Sequence, residues 1–218
     1  DCGSVQVCNC QLPPKHRDMG AGVHQSLIWG AGTACVSKLQ RGGLAMRHAK
    51  PAADIVRTTK CFTIGTNGYP GGFPRGFLVW LQQQGWWGNN RVYLCGGGVK
   101  AQDPKGVTVD IKPETHPDYC EDATATSLPN QCTDCVIIDP PYSRDLAHSL
   151  YNTAPVWKSI NAFTREAYRL VQVGGLIVTL TYEVPKQIKG CTILAVCGVY
   201  QIMNTCNMRC LVVFRRDS

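Results

Sequence analysis

The chain has 218 residues, 44% of them hydrophobic, with 22 Lys and Arg against 15 Asp and Glu, a formal net charge of +7. That length suits one sizeable domain with a small appendage. No apolar run reaches the ~18 residues that a membrane-spanning helix needs. The basic excess fits a polyanionic partner as well as plain solubility. The opening DCGSVQVCNC has neither the basic flank nor the apolar stretch of a secretion signal. The expected location is therefore the cytoplasm, or the nucleoid or infected-cell cytoplasm, with no membrane partner. Thirteen cysteines are many for this length, but Cys95, Cys135, Cys197 and Cys210 lie in apolar runs and read as small buried hydrophobes. A disulfide framework is not expected.

Residues 1–60 hold Gly, Cys, His and basic residues with little periodicity, and are expected to form a loop-rich appendage. Lys15, Arg17, Lys38, Arg41, Arg47, Lys50, Arg57 and Lys60 face only Asp1, Asp18 and Asp54 there, which makes this part the expected electrostatic docking surface. Its Cys and His residues can supply a tetrahedral structural zinc site. The preferred ligands are Cys8, Cys10, His24 and Cys35, with Cys2 the alternative to Cys8. Reduced thiols in a packed lobe, or a flexible extension, are the other readings.

Residues 61–218 are expected to form the main domain. A Gly- and Pro-dense stretch with Thr66 and Asn67 leads to Pro74, from which Phe77, Leu78, Trp80 and Leu81 recur at near-helical spacing, and Gly85 suits the helix end. Trp86 and Trp87 follow, as core or lid packing or as surfaces for stacking on bases. RVYLC (91–95), GVTVD (106–110) and DCVIID (134–139) read as strands. The stretch after Tyr142, 143–157, reads as a loop. Residues 158–171 place Ile160, Phe163, Ala167 and Leu170 on one helical face, ended by Gly174-Gly175. LIVTLTY (176–182), ILAVCGVYQI (193–202) and MRCLVVFRR (208–216) read as further strands, the last two as a terminal hairpin. Strands alternating with crossovers imply an α/β fold with a mostly parallel sheet.

In such a sheet, ligands collect at the carboxyl edge of the strands. The first of the three strands runs into Gly96, Gly97 and Gly98, which allow close backbone approach. The second ends in Asp110, placed to accept hydrogen bonds from ribose hydroxyls. Glu121-Asp122-Ala123 offers an acid for an adenine amine. The third ends in Asp139-Pro140-Pro141-Tyr142. Each piece alone is common as a turn or a strand stop. Together they are complementary groups for one nucleoside-like cofactor.

GGG, VDIKPETHPDYCEDA and VIIDPPYS, in this order, resemble class I methyltransferases that use S-adenosylmethionine. The resemblance covers roughly residues 61–216. DPPY is the amino-methyltransferase version, found in adenine-N6 and cytosine-N4 enzymes acting on DNA. EAYRLVQVGGLIVTLTY is similar to the helix–GG–strand segment of that fold, and FPRGF (73–77) to its upstream cofactor segment. An aromatic usually precedes the first glycine; here Cys95 stands there. The resemblance implies a Rossmann-like sheet, S-adenosylmethionine as cofactor, and cofactor contacts from Phe73, Arg75, Gly96, Gly97, Gly98, Asp110, Ile111, Asp122 and Ala123. It implies Asp139, Pro140 and Tyr142 as catalytic residues, with Tyr142, Pro141 and Ser143 against the substrate. His148 is a further substrate candidate, and His116 reads as an exposed loop residue.

The expected reaction is methyl transfer to the exocyclic amine of a base, with adenine N6 in DNA as the first expectation. The same chemistry on RNA, on cytosine N4 or on a protein glutamine is the alternative, as is a catalytically silent subunit. Asp139 favours a base over glutamine, since glutamine enzymes of this resemblance carry Asn there. Target recognition is expected from the appendage, from the loop after Tyr142, from a protein partner or from a second copy of the chain.

Overall fold

The computed structural model describes residues 54–62, 72–152, 158–201 and 208–218, all within one compact unit, His48–Ser218. Among the described residues it contains an eight-stranded sheet: β1 (Val56–Phe62), β2 (Arg91–Leu94), β3 (Val107–Asp110), β4 (Tyr119–Cys120), β5 (Thr133–Ile138), β6 (Val171–Thr181), β7 (Cys191–Gln201) and β8 (Arg209–Arg216). The helices are α1 (Phe77–Gln83), α2 (Arg144–Tyr151) and α3 (Ile160–Leu170). The strand order is β1-β7-β8-β6-β5-β2-β3-β4. Every neighbouring pair is parallel except those of β8, which runs antiparallel to both β6 and β7. This is the expected Rossmann-like α/β sheet with a C-terminal antiparallel hairpin.

β5 explains the architecture most directly. Cys135, Val136, Ile137 and Ile138 are all fully buried, with alternate residues on opposite faces. Cys135 and Ile137 join a core with Phe77, Trp80 and Leu81 of α1. Val136 and Ile138 join a second core with Phe163, Ala167 and Leu170 of α3. A strand covered on both sides must be apolar throughout, hence its unbroken run. Each such side chain contributes ~1.5–3 kcal/mol relative to leaving it in water.

Several elements depart from expectation. Residues 56–60, on the appendage side of the expected boundary, run in β1 at the sheet edge. β1 is exposed from Val56 to Lys60, so it carries no apolar alternation; Arg57 and Lys60 keep this edge charged, as exposed edges require. Within the stretch after Tyr142, Arg144–Tyr151 is helical rather than a loop, because the Ser143 hydroxyl accepts the Leu146 N–H at 3.1 Å and caps α2; 153–157 lie outside the described residues. α3 ends at Leu170, ahead of the glycine pair, and β6 begins at once. Gly174 and Gly175 lie inside that strand, with Gly174 in the left-handed region at φ 84°.

A buried ion pair locks β2 to the turn that follows it. Arg91 Nε donates to Asp103 Oδ2 at 2.6 Å and Nη2 to Oδ1 at 3.0 Å, while the Tyr93 hydroxyl donates to Oδ2 at 2.8 Å. Burial, then the bonded Asp103, push the Tyr93 phenol well above its usual range. The Arg91 guanidinium also lies 4.5 Å from the Trp87 ring centre, and buried Trp86 packs edge-on to Trp80 at 5.6 Å. Both tryptophans thus serve packing. Asp103→Ala leaves the buried Tyr93 phenol without its acceptor and the Arg91 guanidinium with only the Gly88 and Asn89 carbonyls and no counter-charge. It is expected to lower unfolding free energy by about 3–5 kcal/mol in urea titration.

Candidate active site

Register brings the strand-end groups level. Leu94 pairs with Val109 of β3 and with Ile138 of β5. The next residues, Cys95, Asp110 and Asp139, therefore stand side by side on three adjacent strands, each about 4.8 Å from the next in backbone spacing. The electrostatics report the same convergence. Burial pushes the Cys95 thiol well up, and Asp110, Asp139 and Asp122 push it further, in that order. All three acids named from the sequence thus act on one point. Cys95 itself has φ 60°, a left-handed conformation that costs a non-glycine residue about 1–3 kcal/mol and is found disproportionately at functional sites.

The glycine turn and Asp110 are one unit. Gly97, also left-handed at φ 46°, donates its N–H to Asp110 Oδ2 at 2.8 Å, and Lys112 N–H donates to Oδ1 at 3.0 Å. Asp110 is 7% exposed. Burial raises its carboxyl above the ordinary value, and the Lys112 and Gly97 amides partly offset this. Gly96 packs tightly against β3: a Cβ there would lie 3.1 Å from Thr108 Cγ2. Gly98 completes the turn. Asp122 Oδ1 accepts both the N–H and the hydroxyl of Thr124, at 2.8 and 2.7 Å, and its Oδ2 has no partner among the described residues. Ala123 is buried beside it and Ile111 is exposed. The segment carrying Asp122 is anchored to α3: Glu166 Oε1 accepts from the Thr126 N–H at 2.9 Å and its hydroxyl at 2.7 Å, and Glu166 pairs with Arg169.

Asp139 is the centre of a second, more buried group. The Tyr142 hydroxyl donates to Asp139 Oδ1 at 2.6 Å. Arg209, the first residue of β8, lies 3.8 Å from Asp139 Oδ2 and donates from Nη1 to the Tyr142 hydroxyl oxygen at 3.1 Å. The Asp139 side chain is 6% exposed. Burial pushes its carboxyl up to about 6, against the opposing pull of Arg209 and Tyr142. The Tyr142 ring packs on Tyr182 at 4.2 Å between centres. Pro140 is buried and Pro141 half-buried.

The remaining sequence candidates fall in different places. Phe73 is 3% exposed, stacked on Phe77 at 5.3 Å and tilted against Tyr93; it is a core residue of the α1 face. Arg75 is exposed in the turn before α1, and Ser143 caps α2. His148 is exposed on α2, and His116 follows a short 3₁₀ turn at φ 49°. Cys8, Cys10, His24 and Cys35, with Cys2, lie outside the described residues, as do Thr66 and Asn67. Among the described residues no cluster of His, Cys, Asp or Glu is arranged to hold a metal ion, and no helix is long and apolar enough to cross a membrane. Sequence reasoning missed Arg209 and Tyr182. Arg209 opens the second strand of the expected hairpin, a signal for a strand end but not for a place beside Asp139.

No protein-family model matches the sequence, and no curated protein matches it. Solved structures with similar folds include TrmN from Thermus thermophilus, at 16% identity and TM-score 0.44 over 63% of this chain and 47% of that one. HI0767 from Haemophilus influenzae, described provisionally as a methylase, is 11% identical with TM-score 0.41, over 66% of this chain and 96% of the other. The yhhF protein of Escherichia coli, described provisionally as a methyltransferase, is 12% identical with TM-score 0.42, over 72% of this chain and 98% of that one. The strand order, with β8 antiparallel between β6 and β7, is that of a Rossmann-like sheet in its own right.

Asp110→Ala removes the acceptor of two backbone amides. Amide exchange at Gly97 and Lys112 is expected to accelerate at least tenfold over wild type, read residue by residue by NMR, while β5 amides stay protected.

Proposed function

We propose that this chain is an S-adenosylmethionine-dependent methyltransferase acting on the exocyclic amine of a nucleic-acid base, with adenine N6 in DNA as the first substrate to test. The observation that carries the reading is the alignment of Asp110, Cys95 and Asp139 on adjacent strands, beside a glycine turn and a DPPY tetrapeptide.

The residues present fit a nucleoside cofactor. A carboxylate has about four acceptor positions. Asp110 uses two on its own backbone and keeps two for the hydroxyls of a ribose. Asp122 Oδ2 offers an acceptor for an adenine amine. The left-handed turn at Gly97 lets backbone approach a ligand without a side chain in between. When bound, the cofactor supplies an electrophilic methyl group on a positively charged sulfur.

The protein's own part is to aim the amine. An exocyclic aromatic amine is a poor nucleophile because its lone pair is delocalised into the ring. Donating its two hydrogens to the Asp139 carboxylate and the Pro140 carbonyl favours a more tetrahedral nitrogen with an available lone pair. Proline fixes φ at residue 140, and Pro141 biases Pro140 toward extended backbone, so that carbonyl is held in place. Tyr142 supplies a ring on which a base can stack, worth ~1–3 kcal/mol. Holding the partners in line can contribute ~7–11 kcal/mol. A base paired in duplex DNA would have to leave the stack, at a few kcal/mol, or arrive single-stranded.

Labelled cofactor with synthetic DNA and RNA oligomers tests the reading and separates its substrates. Asp139→Ala is expected to abolish transfer while cofactor affinity, measured by calorimetry, stays within about threefold of wild type. Asp110→Ala is expected to weaken cofactor binding at least tenfold. Absence of S-adenosylmethionine binding by the wild-type protein would instead favour the silent-subunit reading.

The pH dependence has a defined sign. Burial pushes the Asp139 carboxyl up to about 6, and it accepts an N–H much more strongly as the carboxylate than as the neutral acid. The rate of transfer at low substrate is therefore expected to fall as pH drops through about 6, and to level off above it. A profile flat from pH 5 to 8 would contradict the role given to Asp139.

A further inference from the structure

Arg209 is the least expected member of the site. β8 is inserted antiparallel between β6 and β7, with Leu180 opposite Leu211, Thr181 opposite Cys210 and Val199 opposite Arg209. Reversal of this one strand puts its first residue at the edge where the parallel strands end. Arg209 arrives there 7% exposed, a state arginine rarely adopts without a paired partner. It is 3.8 Å from Asp139 Oδ2 and bonded to the Tyr142 hydroxyl at 3.1 Å.

The direction of the bonds follows from donor chemistry. A guanidinium only donates, so the Tyr142 oxygen must accept from Arg209. The single phenolic hydrogen is then committed to Asp139 Oδ1. Among the described residues Oδ2 accepts no hydrogen bond, only the ion-pair contact.

We propose that Arg209 is the positioning residue of this site: it holds Asp139 charged inside an otherwise desolvating pocket, orients the Tyr142 hydroxyl onto Oδ1, and so reserves Oδ2 for the incoming amine. The catalytic part of this assignment rests on the methyl-transfer reading; the electrostatic part does not. Among the described residues, the groups facing Asp139 are Arg209 from β8, Tyr142 from its own loop and Cys95 from the end of β2, with Tyr182 reaching Arg209 from the end of β6. Arg209 is the one cation among them. Burial alone would lower the basicity of Arg209; Asp139, Tyr142 and Tyr182 more than offset that and raise it. This coupling has to appear on both partners.

The test uses the full chain with ¹³C-carboxyl-labelled aspartate, the Asp139 signal being assigned through Asp139→Asn. Arg209→Gln is expected to raise the midpoint of the Asp139 titration by about 1–3 pH units, the range set by an adjacent opposite charge. Arg209→Lys, which keeps the charge and loses the planar fork, is expected to restore most of the wild-type midpoint. The acid limb of methyl transfer is expected to move with the titration in each variant. An unmoved midpoint in a folded Arg209→Gln protein would overturn the proposal. Should that variant not fold, the wild type still decides. The Arg209 side-chain ¹⁵N signals are expected to titrate with the Asp139 midpoint, and signals unchanged through that pH range would overturn it. A wild type that titrates as stated yet transfers no methyl group would refute the methyl-transfer reading and leave the electrostatic role of Arg209 supported.

Discussion

Parallel alignment of β2, β3 and β5 is the constraint from which the site follows. Strands that run the same way release the chain at the same edge, so the residues one step beyond Leu94, Val109 and Ile138 are forced into a row. Two carboxylates and a thiol are thereby gathered where the sheet stops excluding water by its own side chains. Nothing local to any of the three segments produces this arrangement. It exists because the apolar faces of the strands, β5 above all, have to be covered on both sides. The driving force of folding is apolar burial, and the juxtaposition of polar groups is its geometric by-product.

Gathering acids at a buried edge raises their protonation, and the fold counters this in two different ways. At Asp110 the counterweight is backbone: the amides of Gly97 and Lys112 point into the carboxylate. That couples the shape of the glycine turn to the charge on the acid. At Asp139 the counterweight is a side chain on a strand from the far end of the sequence, supported by a tyrosine three residues away. The first solution is local and rigid. The second depends on the hairpin closing correctly, so assembly of the C-terminal strands and competence of the Asp139 group are linked. Away from the edge, Arg91–Asp103 fastens β2 to the turn that follows it, and Glu166 and Arg169 of α3 fasten the segment that carries Asp122.

Much of the frame was legible in the sequence because it depends on local pattern. Continuous apolar runs gave β2, β3, β5 and β8 within a residue or two, and the spacing of Phe163, Ala167 and Leu170 gave α3. Strand-end chemistry pointed to Asp110 and Asp139, and register places them at neighbouring strand ends. What escaped depends on partners distant in sequence. β1 is a mostly polar edge strand, and its β-branched Val56, Thr58 and Thr59 are a weak signal without β7 beside it. α2 was announced by Ser143, whose capping role cannot be told from a substrate role until Leu146 is seen to donate to it. Phe73 reads as a cofactor contact from its neighbours in the chain, yet the stacked ring of Phe77 and the nearby Tyr93 enclose it. Arg209 escaped because the expected hairpin fixes the direction of β8 but not its insertion beside β6, and that pairing is what brings its first residue to Asp139.

The most direct measurement on the central claim, that these strand ends form a single nucleoside cleft, is a ¹H–¹⁵N spectrum of the chain titrated with S-adenosylhomocysteine. The expected result is perturbation concentrated at Gly96–Gly98, Asp110–Lys112, Asp122–Ala123 and Asp139, saturating together. Perturbations absent at saturating ligand, or confined to the groove between α3 and the 186–190 segment with Arg165, Lys186 and Lys189, would contradict it.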